Sequence, residues 1–551
     1  MTVIAQSVEK SPVNPYAVVA VVALGLFLTL LDLTIVNIGI PQIVTDLNAS
    51  LDDVLWMLNA YSLVYAVLLI TSGRLGDIFG PRAMFLLGVA VFTVASAASG
   101  LAQTPLQLIL ARAAQGLGAA ILAPQALPIN LRMFPPERRA IVFAVYGAIA
   151  GLAIVIGPTL GGFLVTNFGW RWIFYVNLPV GIALLALTVL IVPDFKTNTR
   201  HRLDISGVAL ATAGLLAIVF GLIEGERHDW GTVVSFITIP MIIAAGVALL
   251  IAFFFVQRSR QDREPLLPFG VFAERNFTLM ALVLGAMGFA ILGLFLPLTI
   301  YFQSVLHLSA VDAGLTIAPQ ALAMFFTSPF VAMTISRFGG KWILFAGLVL
   351  FTGGVAFIAA NVSSTGGRWD LLPGLIVSGI GMAGVWTPLY DLATRDLQPR
   401  FAGVASGILN TIQEVGTVLA SAAAGALLQA RLAADLVTQA RIRSEELPPP
   451  FREGFIDGFA RAADAGLQVG ASQSASQLPA GLPPQAVEQI MRVSQAVFGQ
   501  GFVDAMRVTL LLPIAIVLLA TLAVLAARNP GRAQAVDAEA IGVRGEAGQP
   551  A

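Results

Sequence analysis

One acidic residue stands inside an apolar stretch that is long enough to cross a bilayer. Residues 16–41 read YAVVAVVALGLFLTLLDLTIVNIGIP, and Asp32 is their only charged side chain. A carboxylate at the bilayer centre costs ~2.5–3.5 kcal/mol on insertion scales, so an acid there is by default a candidate functional site. Gly25, Asp32 and Gly39 are spaced by seven residues and share one helix face, which we expect to pack on another helix or to line a cavity. The alternative is a buried acid that only locks two helices together.

A basic residue, Arg112, stands at a similar depth in another apolar stretch. Counted at 1.5 Å per residue, Arg112 lies ~9 Å and Asp32 ~12 Å from the outer ends of their spans. Pairing of the two charges, directly or through water or Gln115, would offset their desolvation. Burial favours the protonated acid, whereas a neighbouring Arg112 favours the ionised acid. Such a site is suited to loading and releasing a proton.

A second acid, Glu414, lies in the middle of the apolar span 401–429, within the sequence NTIQEVG that begins at Asn410. No basic residue stands at its depth in the C-terminal half. Two roles remain open, a second protonation site or a negative charge that attracts a cationic substrate. Of the two acids we favour Asp32 as the proton carrier.

The composition indicates an all-α polytopic membrane protein that contacts lipid. Of 551 residues, 57% are hydrophobic and 11% are charged, whereas soluble domains carry about 25% charged residues. The formal net charge of zero gives no reason to expect nucleic-acid binding. The absence of Cys and the presence of only three His exclude disulfides and make a metal site unexpected. We find no nucleophile–base arrangement and no G-x-x-x-x-G-K-[ST] loop, so we expect neither an enzyme nor a cofactor other than the proton.

Fourteen apolar runs are long enough to cross the bilayer. They are residues 16–40, 53–72, 83–102, 106–131, 140–164, 171–192, 205–224, 233–256, 277–302, 312–335, 342–360, 371–393, 401–429 and 506–527. Arg and Lys are concentrated in alternate short loops, which places those loops and both termini in the cytoplasm.

The runs divide into domains. We expect a cytoplasmic N-terminus at 1–15, six-helix bundles at 16–192 and 277–527, an extra helix pair at 205–256, and a disordered cytoplasmic tail at 528–551. An insertion at 430–505 lies on the outer face, with helical flanks around a Ser/Gln/Ala/Gly-rich middle, and is predicted to cap the outer mouth. The alternative is an unstructured insertion.

A glycine-rich motif forms the predicted cytoplasmic turn between the second and third spans, with Gly73, Asp77, Gly80 and Arg82 as its main residues. Glycine permits the positive φ that a tight turn requires. The Asp77 carboxylate can accept from backbone N–H groups or from Arg at a helix end. The motif therefore predicts a charged clamp that holds one conformation, and the plainer alternative is a tight turn with positive charge.

A second motif lies in the fifth span and contains Gly157, Pro158, Gly161 and Gly162. The glycines allow close approach to a neighbouring helix, and the proline removes an N–H group and kinks its own helix. We expect a gate at the interface of two bundles, with tight packing as the alternative.

These motifs resemble the major facilitator superfamily. The segment 73–82 is similar to its first cytoplasmic loop, G-x-L-a-D-r-x-G-r-k, with Pro81 where a basic residue is common. The segments 31–37, 112–118, 157–162 and 170–181 resemble motifs of the fourteen-helix drug:proton antiporters within that family, and 337–341 resembles a decayed copy of the first loop.

The resemblance implies the major-facilitator fold, two six-helix bundles with two extra central helices, and transport by alternating access. It implies proton coupling at Asp32 and Arg112, with Glu414 as a further candidate. The candidate substrate contacts are Asn37, Trp56, Gln115, Asn410 and Glu414.

By the same resemblance, the chain is a monomeric exporter of drugs or other amphipathic, in part cationic, small molecules in a bacterial cytoplasmic membrane. No feature indicates a periplasmic adaptor. The alternatives are a dedicated exporter of one metabolite, such as a self-made antibiotic or siderophore, and a non-transporting membrane receptor that uses the outer loop.

Overall fold

The structure is a computed structural model, and it describes residues 14–194, 204–225, 228, 230–262, 265–398, 401–464 and 484–528. The first half of the chain forms α1 (Pro15–Leu47), α2 (Leu51–Phe79), α3 (Pro81–Leu101), α4 (Pro105–Leu122), α5 (Ala126–Met133), α6 (Pro136–Phe168), α7 (Trp172–Tyr175) and α8 (Asn177–Ile191). A 3₁₀ turn, Ala123–Gln125, joins α4 to α5.

The middle and second half form α9 (Ile205–Glu224), β1 (Thr232–Val234), β2 (Ile237–Thr238), α10 (Ile239–Ser259), α11 (Gly270–Ala273), α12 (Arg275–Ile300), α13 (Ala310–Phe338), α14 (Gly340–Asn361), α15 (Leu372–Thr394), α16 (Ala402–Arg443), α17 (Pro449–Asp464), α18 (Pro484–Thr509) and α19 (Leu511–Leu525). The π-helical turn Tyr301–Val305 extends α12.

The prediction of a polytopic helical protein is confirmed. In the described ranges, thirteen helical segments are long and apolar enough to cross a membrane. The remaining predicted span, 140–164, falls on α6, a helix of 33 residues. Two boundaries differ clearly from the prediction. The second span, placed at 53–72, continues to Phe79, so Gly73 and Asp77 lie in the last turns of α2 and not in the predicted turn. The span placed at 233–256 begins only at Ile239, because the β-branched residues before it pair as a short antiparallel hairpin.

Helix ends follow local sequence. Ser50 and Asp53 form a reciprocal capping box at the start of α2, in which the Ser50 N–H donates to Asp53 Oδ2 at 2.9 Å. Gly80 has φ of 92° between α2 and α3, and Gly339 has φ of 81° between α13 and α14. The two glycines turn the chain in the same way at matching places in the two halves, so the segment 337–341 corresponds structurally to the glycine motif at 73–82.

Each half has its own apolar core. In the first half, Phe85, Phe92 and Leu184 are fully buried together. In the second half a larger cluster is built around residues such as Phe277 and Phe351. The helix pair α9–α10 lies beside the seam between the halves, because α9 packs on both α2 and α16.

The predicted insertion 430–505 is helical in its described parts, and we refer to it as the appendage. Helix α16 continues without interruption to Arg443 and packs on both α17 and α18. The appendage is attached to the second half, since Ser364 Oγ donates to Gln500 Oε1 at 2.9 Å and, just beyond the appendage, Arg507 Nη2 donates to the Val362 carbonyl at 2.8 Å. Its predicted Ser/Gln/Ala/Gly-rich middle and the predicted tail after residue 528 lie outside the described residues.

Candidate functional site

Five polar residues from four helices form a hydrogen-bonded group inside the first half, here called the Asp32 cluster. They are Asp32 on α1, Ser96 on α3, Arg112 and Gln115 on α4, and Asn177 on α8. Arg112 Nη1 donates to Asp32 Oδ2 at 2.5 Å, and Gln115 Nε2 donates to Asp32 Oδ1 at 2.7 Å. Asn177 Nδ2 donates to Asp32 Oδ1 at 3.3 Å and to Ser96 Oγ at 3.1 Å. The carboxylate thus receives three donors, one of them charged.

The cluster is closed to solvent. Asp32, Gln115 and Asn177 are 0% exposed, and Arg112 is 1% exposed. Arg112 makes two further contacts, because its Nε donates to the Met57 carbonyl at 3.3 Å and its guanidinium lies 4.5 Å from the centre of the Tyr61 ring. Removing one member of such a buried pair leaves an uncompensated charge, at a cost of ~3–5 kcal/mol.

A proton exchanged at the Asp32–Arg112 pair would be carried by the Asp32 carboxylate. Arg112 stays charged at any physiological pH, so only Asp32 changes its charge within the pair. When Asp32 is neutral, Arg112 keeps Gln115 Oε1, at 2.9 Å, and the Met57 carbonyl as acceptors. The guanidinium therefore has partners in both protonation states of the acid.

Glu414 lies apart from this cluster. It is half-buried on α16, and within the described part of the chain its carboxylate forms neither a hydrogen bond nor an ion pair. It lies near Tyr61 and Tyr65 of α2, which are stacked with 6.0 Å between ring centres. The two predicted acids thus occupy different environments, one paired inside a bundle and one unpaired facing α2.

The other predicted substrate contacts are distributed over several sites. Gln115 belongs to the Asp32 cluster. Asn37 is exposed and donates to the Leu33 carbonyl of its own helix, and Asn410 donates to the Ser406 carbonyl of its own helix. Trp56 packs on Phe220 of α9, with 5.9 Å between ring centres, and so contacts the extra helix pair. A substrate role for these residues stays a prediction.

The glycine motif at 73–82 joins the two halves. Asp77 Oδ1 accepts from the Gly403 N–H and Oδ2 from the Val404 N–H, both at 3.2 Å, at the beginning of α16. A carboxylate at a helix N-terminus is stabilised by the helix dipole and by unpaired N–H groups. Gly73 lies so close to α16 that a methyl group on it would stand 2.4 Å from the Gly403 carbonyl oxygen. Arg82 instead donates to the Val189 carbonyl within the first half, at 2.6 Å.

The glycines of α6 face two different neighbours. Gly157 and Gly161 pack on Thr34 and Ile35 of α1, within the first half. Gly162 faces Val311 of α13, in the second half. Only part of the motif therefore lies between the halves, and the side chain of Pro158 lies outside the described residues.

Sequence reasoning did not single out Asn177, Ser96 or Arg139. Asn177 stands within the segment 170–181 that resembles a family motif, but nothing in its spacing relates it to Asp32. Arg139 Nη1 donates to the Thr394 carbonyl at 3.1 Å and forms a second link between the halves. Because every residue has a backbone carbonyl, a sequence pattern cannot indicate that Thr394 is the partner of Arg139.

The chain is similar in sequence and in fold to known proteins. A family model described as Major Facilitator Superfamily matches residues 22–421. The chain is 32% identical over 422 residues to the tetracenomycin C resistance and export protein of Streptomyces glaucescens, which covers 76% of this chain and 77% of that protein. It is 36% identical over 396 residues to the puromycin resistance protein pur8 of Streptomyces alboniger, covering 71% and 77%.

Among solved structures, the human organic anion transporter MFSD10 (TETRAN) superposes with a TM-score of 0.54 at 14% identity, covering 92% of this chain and 99% of that chain. At this identity the likeness concerns the fold alone. The family match extends over most of the chain and agrees with the repeated helical halves. The chain therefore belongs to the major facilitator superfamily and is a membrane transporter, not an enzyme.

Proposed function

We propose that the chain exports amphipathic small molecules, such as antibiotics or other drugs, in exchange for protons and by alternating access. The observation that carries the proposal is the fully buried Asp32–Arg112 pair with its amide donors. An ion pair at membrane depth has a large desolvation cost. Apolar packing could hold the same helices together equally strongly without that cost. An acid beside a permanent cation is suited to exchange a proton when its surroundings change.

The energetics are adequate for uphill export. One charge that moves through ~100 mV releases ~2.3 kcal/mol, and each tenfold concentration gradient costs ~1.4 kcal/mol. One proton per substrate thus sustains a gradient of about fiftyfold for an uncharged drug.

Alternating access requires a set of contacts between the two halves that can form and break. Asp77 and Gly73 on α2 contact the beginning of α16, and Arg139 contacts the end of α15. All three contacts lie at the end of the molecule that the charge distribution predicts to be cytoplasmic. We infer that they close this end and separate when the transporter opens inward.

Glu414 serves the substrate and not the proton in this proposal. No basic residue in the described ranges pairs with it, and its proximity to the stacked Tyr61 and Tyr65 suits attraction of a cationic, aromatic molecule. Glu414→Gln is expected to weaken export of divalent organic cations more than export of uncharged drugs. Equal efflux of both classes by wild type and variant would contradict this role.

The test of proton coupling is drug transport in proteoliposomes with an imposed pH gradient. Asp32→Asn is expected to abolish uphill export and the release of protons on drug binding. Asp46→Asn is the matched control, because Asp46 lies on the same helix in an exposed ion pair with Arg171. An Asp32→Asn protein that still exports uphill would contradict the proposal.

A dedicated exporter of one metabolite is the second candidate. It is favoured by the relatives named above, each of which carries the name of a single antibiotic. A panel of unrelated drugs, tested with and without the gene and with a protonophore, separates the two candidates. Resistance to several drug classes supports broad export, and resistance to one class supports the dedicated exporter.

A further inference from the structure

The two short strands β1 and β2 form a hairpin that joins α9 to α10 at the predicted outer end of the molecule. Val234 pairs with Ile237, so Ser235 and Phe236 form a two-residue turn, and Ser235 has φ of 54°. Turns of this length usually carry Gly, Asn or Asp where φ is positive. A serine–phenylalanine pair is therefore an unusual choice for a turn that projects into water.

The base of the hairpin is fastened to both helices. The Trp230 N–H donates to the Gly225 carbonyl, just after α9, at 2.8 Å, and the Ile239 N–H at the start of α10 donates to the Gly231 carbonyl at 2.9 Å. The three residues of β1 span ~10 Å at ~3.3 Å per residue. The headgroup region is ~5–7 Å thick on each side of the hydrocarbon core. The tip therefore stays within reach of the outer surface of the bilayer.

The tip of the hairpin is apolar and uncovered. Val234 is 66% exposed and Phe236 is 75% exposed. The sequence 230–257, which contains the hairpin and most of α10, has no charged residue. The exposed apolar surface continues along α10 at Met241 and Ile251, where a membrane transporter contacts lipid. Since apolar surface in water is unfavourable in proportion to its area, the tip is expected to share this lipid environment.

The helix pair that carries the hairpin is joined to the two halves mainly through one member. Helix α10 packs on α9, and α9 packs on α2 and α16. At the predicted cytoplasmic end the pair is held by Asp204, whose carboxylate accepts from Gln257 Nε2 at 2.6 Å and pairs with Arg260 at 2.8 Å. The hairpin takes the corresponding position at the other end of the pair.

We propose that the tip of this hairpin inserts into the outer interface of the bilayer and fixes the height of α9 and α10 in the membrane. Phe236 and Val234 enter between the lipid chains, as the apolar face of an interfacial segment does. The partner is the lipid of the outer leaflet, bound through its acyl chains and not through headgroup charge, because the segment is uncharged. The anchor does not depend on which substrate the chain exports.

The natural absence of cysteine permits a test with single spin labels in proteoliposomes. Collisions of the label with molecular oxygen, which concentrates in lipid, and with a water-soluble nickel chelate report its surroundings. A Phe236→Cys label is expected to collide mainly with oxygen, as a label at Ile251→Cys in the middle of α10 does. The matched control is Ile442→Cys on the appendage, where Ile442 is 61% exposed and the label is expected to collide mainly with the chelate.

Two outcomes would overturn the proposal. A Phe236→Cys label with the collision ratio of Ile442→Cys lies in water and not in lipid. A Phe236→Cys label that collides slowly with both reagents is covered by protein, for example by a second copy of the chain. Neither measurement needs a transported substrate, so the result is independent of the proposed function.

A second measurement keeps Phe236 in place and tests whether it drives insertion. The label is moved to Val234→Cys, and the second substitution is either Phe236→Asp or Phe236→Trp. With Phe236→Asp the oxygen-to-chelate ratio is expected to fall to that of the Ile442→Cys label, because a carboxylate does not enter lipid. With Phe236→Trp the ratio is expected to stay high, because tryptophan favours the interface. A Phe236→Asp protein that keeps the high ratio would overturn the proposal.

Discussion

The link between Asp77 and the beginning of α16 is expected to hold the predicted cytoplasmic end closed. Asp77→Asn keeps the size of the side chain and one acceptor oxygen, but removes the negative charge that faces two N–H groups at 3.2 Å. Hydrogen bonds to charged groups contribute ~1.5–3 kcal/mol, and a charge at a helix end contributes up to ~2 kcal/mol when partly buried. Burial of the charge offsets much of these contributions, so we attribute the expected net loss of about 2 kcal/mol to the one buried N–H group that is left without an acceptor.

That loss corresponds to a shift of about thirtyfold in the ratio of closed to open molecules at this end. Electron spin resonance between labels at Phe79→Cys and Gln398→Cys measures it, since both residues are exposed and lie on opposite halves at the Asp77 end. Asp77→Asn is expected to increase the population at long distances. The control is Asp53→Asn at the opposite end of the same helix, where the acid caps its own helix. Identical distance distributions for Asp77→Asn and its parent would refute the argument.

Two further predictions concern packing and pH. Gly73→Ala is expected to open the same end of the transporter, because the added methyl group meets the Gly403 carbonyl at 2.4 Å, whereas Gly353→Ala has no neighbour within 4 Å and is expected to leave the label distances unchanged. Burial raises the pKa of Asp204, but hydrogen bonds and the 2.8 Å ion pair with Arg260 outweigh it, so the pKa lies below its usual value. A lowered folded-state pKa stabilises the protein above the unfolded pKa of ~3.9, and this contribution disappears as the pH falls. The difference in melting temperature between wild type and Asp204→Asn is therefore expected to be full at pH 7 and to shrink as the pH falls below the unfolded pKa of ~3.9, and a difference that is the same on both sides of that pH would contradict the assignment.

The helices and the central ion pair were predictable because bilayer physics constrains both. The length of an apolar run identifies a spanning helix directly. A charge is so costly at membrane depth that few residues other than Asp32 and Arg112 were available there to form an ion pair. The structure places the two side chains 2.5 Å apart. Gln115 joined them because three residues separate neighbours on one helix face.

Polar partners from distant helices were not predictable in the same way. Asn177 and Ser96 are uncharged, so their burial is cheap enough to be common, and no spacing relates α8 or α3 to Asp32. Trp56 illustrates a related difficulty. Helix α2 carries apolar residues on several faces, so its sequence does not show which face contacts α9 and which faces α16.

Helix α16 connects the two ends of the transporter as a single rod. It begins at the Asp77 contact and continues for 42 residues into the appendage, a length of ~63 Å at 1.5 Å per residue. A bilayer core of ~30 Å covers less than half of that length. If α16 tilts by about 10° when the predicted cytoplasmic end opens, simple trigonometry moves its two ends by about 11 Å relative to each other. Opening of the predicted cytoplasmic end would then be accompanied by a displacement of the appendage on the opposite side of the membrane.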